Sequence, residues 1–430
     1  MSHARFIIGD TRDVVATMPD GSVDLVLTSP PFLALRSYLP ADHPDKHREI
    51  GSEPTPADFL DTLLELTAEW GRVLAPHGSL CIELGDTYSG SGGAGGDYGT
   101  DGLRDGQGKF DGSGRRNRAA DVAAGILAPT KRPGPADRDK IAGWPLAKSK
   151  ALIPELYRIA LAYGINPLTG QESPAGRWRV RNVVTWCRPN PPVGALGDKF
   201  RPATSDMVIA CRASDRWFDL DAVRNESPSP NTHQRVAKGA EPRYDLPSQQ
   251  RDGNWNTLAA NNDMRGAPPL DYWVIPPGGY PGSHYAVYPP ELCRIPIESM
   301  CPRQVCTVCG QPRRRIADVS YVQGEHTGTT GTRRDLREPD GRTNGTGMTG
   351  KRVMARVSET LGWSDCGHDS WRNGIVLDPF GGSGTTGMVA VGHGRDAVLI
   401  DIDERNADLA RERIGMFLEV EDARTTAGAQ

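Results

Sequence analysis

Apolar residues recur along this chain with two different periods. The runs "RFIIGD" and "VDLVLTSP" are short and rich in Val, Ile and Leu, as buried strands are, and "VVATM" between them reads as a helix. "ADFLDTLLELTAEWGRVLAPHG" carries apolar residues at helical spacing and closes on Pro76 and Gly78, two stop signals. "SLCIELGD" predicts the next strand. Further on, "KALIPELYRIALAYG" predicts a helix, and "WRVRNVVTWCRP" and "SDMVIACRAS" predict strands. The stretch "GIVLDPFGGSGTTGMVAVGHGRDAVLIDID" reads as strand, glycine loop, helix, strand. This alternation predicts an α/β fold on a doubly wound, mostly parallel sheet.

Three stretches break the rhythm. Residues 89–147 begin Gly-rich ("SGSGGAGGDYGTDG") and turn basic ("GSGRRNR", "APTKRPGPADRDK"). A solvated loop and a loop that orders on a phosphate backbone are both open readings there. Residues 225–270 are polar and aperiodic, and 322–350 read as loop. A chain of 430 residues suits one large domain with insertions, or two domains. Lys plus Arg is 50 and Asp plus Glu is 54, a net charge of -4, so any basic surface for nucleic acid must be local. No apolar run reaches the roughly 20 residues that span a bilayer, and "MSHARFIIGD" lacks the form of a signal peptide. A cytoplasmic protein without membrane contact is the expectation.

Two motifs carry chemistry. The strand "VDLVLTSPPF" ends in Ser29-Pro30-Pro31-Phe32, a rigid corner with no backbone N–H on either proline, a hydroxyl before it and an aromatic ring after it. Alone, it reads equally well as a strand end with Phe32 in the core. The second motif, "VLDPFGGSGTT", sets glycines between a strand and a helix start, where backbone approaches a ligand closely. Asp401, closing the following strand, is placed to accept hydrogen bonds from ribose hydroxyls. No Lys follows the last glycine, so this is not a Walker loop.

Taken in this order, the two motifs resemble the β group of S-adenosylmethionine-dependent DNA amino methyltransferases. "GDTRDVVATMPDGSVDLVLTSPPF", "RVLAPHGSLCIELGDTYSG", "VVTWCRPNPP", "HYAVYPPEL" and "LIDIDERNADLARERI" look like further segments of that family. The resemblance implies a Rossmann-like fold with circularly permuted motif order, S-adenosylmethionine as cofactor and double-stranded DNA as partner, with a cognate restriction endonuclease an open question. It implies catalytic roles for Ser29, Pro30, Pro31 and Phe32. It implies cofactor contacts from Asp10, Asp378, Pro379, Phe380, Gly382, Ser383, Gly384, Thr385 and Asp401, with Asp10 near the adenine. Members with Ser at position 29 mostly methylate N4 of cytosine, and those with Asp or Asn mostly N6 of adenine. The adenine enzyme is the first alternative. A methyltransferase of RNA or protein amides, or an inactive zinc-bearing nucleic-acid binder, is the second. Methylation at cytosine carbon 5 needs a cysteine nucleophile after a proline, and Pro31 is followed by Phe32.

Cysteines divide into two groups. Cys81, Cys187, Cys211 and Cys293 stand singly in or beside apolar segments, like buried free thiols. Cys306 and Cys309 form a CxxC-Gly knuckle, and "SDCGHDS" adds Cys366 and His368, a ligand set for one structural zinc. Cys301 is a rival ligand, set aside because "ESMCP" reads as family core. The expected organisation is a catalytic half over 1–224 with the 89–147 insertion, a target-recognition region over 225–270, and a return to the core over 271–302. A zinc-knuckle insertion follows over 303–370, then a cofactor-binding half over 371–418 and a tail over 419–430.

Overall fold

The computed structural model describes residues 2–35, 38–39, 42–89, 142–191, 199–224, 268–277, 288–323 and 354–426. Most of the 89–147 insertion and of the 225–270 target-recognition region lies outside these residues, as do 324–353 of the zinc-knuckle insertion and 427–430 of the tail. The strands are β1 (Ala4–Ile8), β2 (Val23–Thr28), β3 (Leu74–Leu84), β4 (Arg179–Cys187), β5 (Thr204–Cys211), β6 (Tyr272–Val274), β7 (Gln304–Cys306), β8 (Arg315–Gln323), β9 (Met354–Trp363), β10 (Trp371–Asn373), β11 (Ile375–Asp378), β12 (Asp396–Asp401) and β13 (Leu418–Asp422). Two compact units result. One comprises Met1–Asp219, Leu270–Arg313 and Cys366–Gln430. The other comprises Leu220–Pro269 and Arg314–Asp365, and contains the antiparallel hairpin of β8 and β9.

The first unit holds a nine-stranded sheet in the order β13-β1-β12-β11-β2-β3-β5-β4-β6. From β13 to β3 every neighbouring pair is parallel, and β5 runs antiparallel to β3 and β4. Helices cover both faces. Residues of β2 supply both cores: Val23, before the irregularity in the ladder, and Val26 join the cluster of Phe59, Leu63 and Trp70 of helix Pro56–Val73, while Leu25 and Leu27 join that of Leu292 and Ile297 of helix Pro290–Met300. The predicted doubly wound sheet is therefore what forms, and β11 lies directly beside β2 with Leu377 opposite Val26. No helix among the described residues is long and apolar enough to cross a membrane.

One boundary differs from expectation. Helix Pro56–Val73 starts where Thr55 Oγ1 accepts from the Asp58 amide at 3.2 Å, but β3 begins at Leu74, upstream of Pro76 and Gly78. Val23 pairs with Leu74 and Leu25 with Ser79, so Ala75–Gly78 bulges out of the ladder. The bulge leaves exposed Pro76 without a required donor, so the proline is tolerated.

Asp24 anchors the other end of β2 and is fully buried. Its carboxylate accepts from Arg372 Nη1 at 2.6 Å, Arg372 Nη2 at 3.1 Å and the Ile375 amide at 2.8 Å, with His77 Nε2 at 2.9 Å. Burial alone would raise this carboxyl, yet His77 and Arg372 hold it below the ordinary 3.8. A depressed carboxyl stabilises the fold above its unfolded pKa, and that contribution is lost as pH falls through the folded value. Asp24→Asn is expected to cost about 3–5 kcal/mol at pH 7, the penalty for breaking a buried pair. In denaturant titrations the gap to wild type should narrow below about pH 4. A gap that does not change with pH would show that Asp24 is not ionised in the fold.

Candidate active site and cysteine cluster

The C-terminal ends of the parallel strands share one rim, where such sheets bind ligands. A cavity of about 400 Å³ opens there, within the roughly 300–1,000 Å³ typical of small-ligand sites. Ser29, Pro30, Pro31 and Phe32 line it from the end of β2, and Pro379, Phe380, Gly382, Ser383 and Thr385 from the loop after β11. Asp10 lines it from the end of β1, and Asp401 from the end of β12. Of the catalytic and cofactor residues expected from the sequence, Asp378 and Gly384 are not on its wall.

Asp378 is buried beneath the site. Its Oδ1 accepts from Thr28 Oγ1 at 2.6 Å and the Phe380 amide at 3.1 Å. Its Oδ2 accepts from Thr386 Oγ1 at 2.5 Å and the Tyr288 hydroxyl at 3.0 Å. Burial pushes this carboxyl above its ordinary range against those hydrogen bonds. The result ties the turn after β2 to the glycine loop. Gly384 sits behind the loop at φ +77°, where a Cβ would stand 2.8 Å from Ala410 Cβ. Arg413 Nη1 fastens the loop by donating to Ser383 Oγ and Thr385 Oγ1, each at 2.7 Å.

Asp401 faces the loop. Its Oδ2 accepts from the Gly382 amide and its Oδ1 from the Asp403 amide, both at 2.8 Å. Burial, with the neighbouring Asp403 charge, pushes its carboxyl up to about 6. Asp10 is more heavily engaged. Arg12 donates to it from Nη2 at 2.6 Å and Nε at 2.9 Å, and Arg48 Nε lies 2.9 Å away. Burial opposes ionisation of Asp10, but the two guanidinium groups hold its carboxyl below the usual range.

At the Ser29–Phe32 corner, Ser29 Oγ donates to Glu83 Oε2 at 2.6 Å. Glu83 is buried in β3 and burial raises its carboxyl, with Ser205 and Ser29 hydrogen bonds working the other way. Phe32 packs so tightly on Gly85 that a Cβ there would lie 2.5 Å from the ring. Sequence reading missed Glu83, Tyr288, Arg48 and Arg413. The quoted segments "SLCIELGD" and "HYAVYPPEL" contain two of them, but nothing local marks them as site residues.

Away from the cavity, Cys306, Cys309, Cys366 and His368 bring their ligand atoms within 4.8 Å of one another. Cys306 Sγ and Cys366 Sγ stand 3.6 and 3.4 Å from His368 Nδ1. Tetrahedral zinc with sulfur and nitrogen ligands needs roughly 3.5 Å between them. The amides of Val308 and Cys309 point at Cys306 Sγ at 3.4 and 3.5 Å, an arrangement that favours a thiolate. Cys301 stays outside the cluster as a buried thiol.

A family model described as DNA methylase, of the N6/N4 methyltransferase group, matches residues 23–304 and 367–412, and the chain belongs to that family. The match is interrupted over 305–366, which holds Cys306, Cys309, Cys366 and the β8–β9 hairpin, and resumes before His368. Among curated relatives, the Type II methyltransferase M.SfiI of Streptomyces fimbriatus is 25% identical over 217 residues, 50% of this chain and 38% of the relative. The Type II methyltransferase M.SmaI of Serratia marcescens is 22% identical over 414 residues, 96% of this chain and 91% of the relative. The solved PvuII DNA methyltransferase (cytosine-N4-specific) superposes with a TM-score of 0.43 at 13% identity, covering 98% of this chain and 95% of that one, a likeness too loose to bear on the site.

Proposed function

We propose that this chain is a site-specific DNA methyltransferase that moves a methyl group from S-adenosylmethionine to N4 of a cytosine turned out of the duplex. The observation that carries this reading is the meeting of the Ser29–Phe32 corner, the Gly382–Thr385 loop and Asp401 on one cavity. Asp401 accepts the Gly382 and Asp403 amides, one on each oxygen, and lines the cavity where a ribose hydroxyl can donate to it. The glycine loop supplies a close backbone wall, and Pro379 and Phe380 an apolar one. Asp10 holds its end of the cavity through Arg12 and Arg48, and Asp378 works one step back by fixing the loop. S-adenosylmethionine supplies an electrophilic methyl on a positively charged sulfur, which keeps the bond pair as the methyl leaves.

The remaining chemistry belongs to the protein. An exocyclic amino nitrogen is a weak nucleophile, because its lone pair is shared with the ring, and acceptors on its N–H bonds favour attack. Ser29 gives its own hydrogen to Glu83, which leaves its oxygen lone pairs for the base. The Pro30 carbonyl is the second acceptor, and Pro31 adds no competing donor. Phe32 offers a ring to the extruded base. As the N–C bond forms, nitrogen gains positive charge and must lose one proton. That proton passes to Ser29 Oγ as the Ser29 hydroxyl proton moves on to Glu83, whose buried carboxyl has a raised affinity for it. Within the family resemblance, Ser at 29 favours cytosine N4 over adenine N6.

The reading also places one structural zinc on Cys306, Cys309, Cys366 and His368. It places the enzyme in the cytoplasm on double-stranded DNA. The Type II names of the relatives support a restriction–modification setting.

Ser29→Ala should lower kcat by roughly 100-fold or more, as loss of one charge-stabilising contact does, with little change in cofactor affinity. Stopped assays of labelled methyl transfer and calorimetric cofactor titration read the two quantities. Weakened cofactor binding as the main effect would remove Ser29 from catalysis. Cofactor affinity should also depend on pH through Asp401, because ribose hydroxyls donate to its ionised form. Above pH 7 the Kd should be flat. Below about 6, where Asp401 takes up its proton, it should rise toward tenfold per pH unit. Asp401→Asn should abolish that dependence.

A further inference from the structure

The knuckle joins the sheet through an ion pair. Its two ligand pairs sit on β7 and just before β10, and these strands pair antiparallel with Cys306 opposite Trp371 and Val305 opposite Arg372. The Thr307 amide donates to the Ser370 carbonyl at 3.0 Å, and the Gly374 amide to the Arg303 carbonyl at 3.2 Å. This short ladder carries Arg372, whose guanidinium grips buried Asp24 through both oxygens. Asp24 also accepts the first amide of β11, that of Ile375. The ladder therefore sets where β2 and β11 begin, and these strands end next to Ser29 and at Asp378.

A three-residue ladder has little stability of its own. Arg372 is partly accessible. Each side of the ladder has its own tie, Asn373 Nδ2 to Asp396 Oδ1 at 3.0 Å on the β10 side and Trp217 Nε1 to the Arg313 carbonyl at 2.9 Å on the β7 side, but neither tie joins one side to the other. A four-ligand metal supplies the missing cross-link, because it binds residues on both strands at once. Position separates this role from DNA contact. Asp24 lies five residues before Ser29 on an extended strand, roughly 16 Å away at the opposite rim of the sheet.

Resting on the zinc reading above, we infer that the ion is a clamp: it locks β7 to β10 and so holds Arg372 on Asp24, beneath the catalytic strand rather than against DNA. The clamp predicts a coupling that a separate zinc module would not show. Without metal, Arg372 no longer neutralises Asp24, so removing Arg372 as well should cost nothing more.

The test uses full-length protein as wild type, Cys366→Ser, Arg372→Met and the double variant, with zinc measured by elemental mass spectrometry and Tm by calorimetry. Wild type and Arg372→Met should each carry about one zinc per chain, and Cys366→Ser little. Each single change should lower Tm by roughly 3 °C or more, and the double variant should melt with Cys366→Ser. A double variant whose Tm loss equals the sum of the singles overturns the clamp and leaves the zinc site standing. Metal-free, fully folded wild type overturns the zinc site itself, whatever the methyl-transfer activity. If Cys366→Ser does not fold, wild type stripped by a chelator is followed by amide hydrogen exchange. Faster exchange in the 304–306 and 371–375 segments supports the clamp, and unchanged exchange there once the zinc has left overturns it.

Discussion

The site depends on one buried carboxylate. Asp378 takes hydrogen bonds from Thr28, Phe380, Thr386 and Tyr288, which come from the end of β2, the glycine loop, the helix after it and the segment before helix Pro290–Met300. Thr28 and Asp378 are 350 residues apart in sequence, yet their side chains meet at 2.6 Å. A buried acid without partners would be strongly unfavourable, so these donors must stay in place for the fold to keep it. That requirement fixes the Ser29–Phe32 corner relative to the loop proposed to hold the cofactor. Methyl transfer needs such control, since reacting atoms must approach along one line at near-contact distance.

The permuted order of the motifs then needs no special device. In a parallel sheet any two adjacent strands end on the same rim, whatever their distance in sequence. β11 lies between β12 and β2, so the corner after β2 and the acid at the end of β12 flank the loop from both sides. The same sheet separates roles by rim. Asp24, Arg372 and His77 fasten the strands at the start of β2, and Ser29, Glu83 and Asp401 line the cavity at the other end.

Much of this was legible in the sequence, and the parts that were not share a cause. Runs such as "VDLVLT" and "AVLID" give strands because both faces of a covered parallel sheet are apolar, and the glycine loop announces itself by composition. Ser29, Gly382 and Asp401 share one rim because they stand at or just past the C-terminal ends of β2, β11 and β12. Glu83 was not legible, because its link to Ser29 depends on β2 and β3 being neighbours, with Thr28 opposite Ile82. Tyr288 and Arg413 are likewise set by packing between distant segments. The early start of β3 was hidden because Pro76 and Gly78 are read locally as stops, while a bulge accommodates them. The four metal-ligand candidates were legible as two close pairs, but the path from them to Asp24 runs through an ion pair 348 residues long in sequence.

The Ser29 corner is proposed to deliver a methyl group to the amino nitrogen of cytosine. The most direct test incubates unmethylated duplex DNA with the protein and isotope-labelled S-adenosylmethionine, then identifies labelled nucleosides by mass spectrometry. Labelled N4-methylcytosine is the predicted product. Labelled N6-methyladenine would keep the fold and the site but contradict the base assigned from Ser29. DNA that stays unlabelled while the protein binds the cofactor would contradict the proposed reaction altogether.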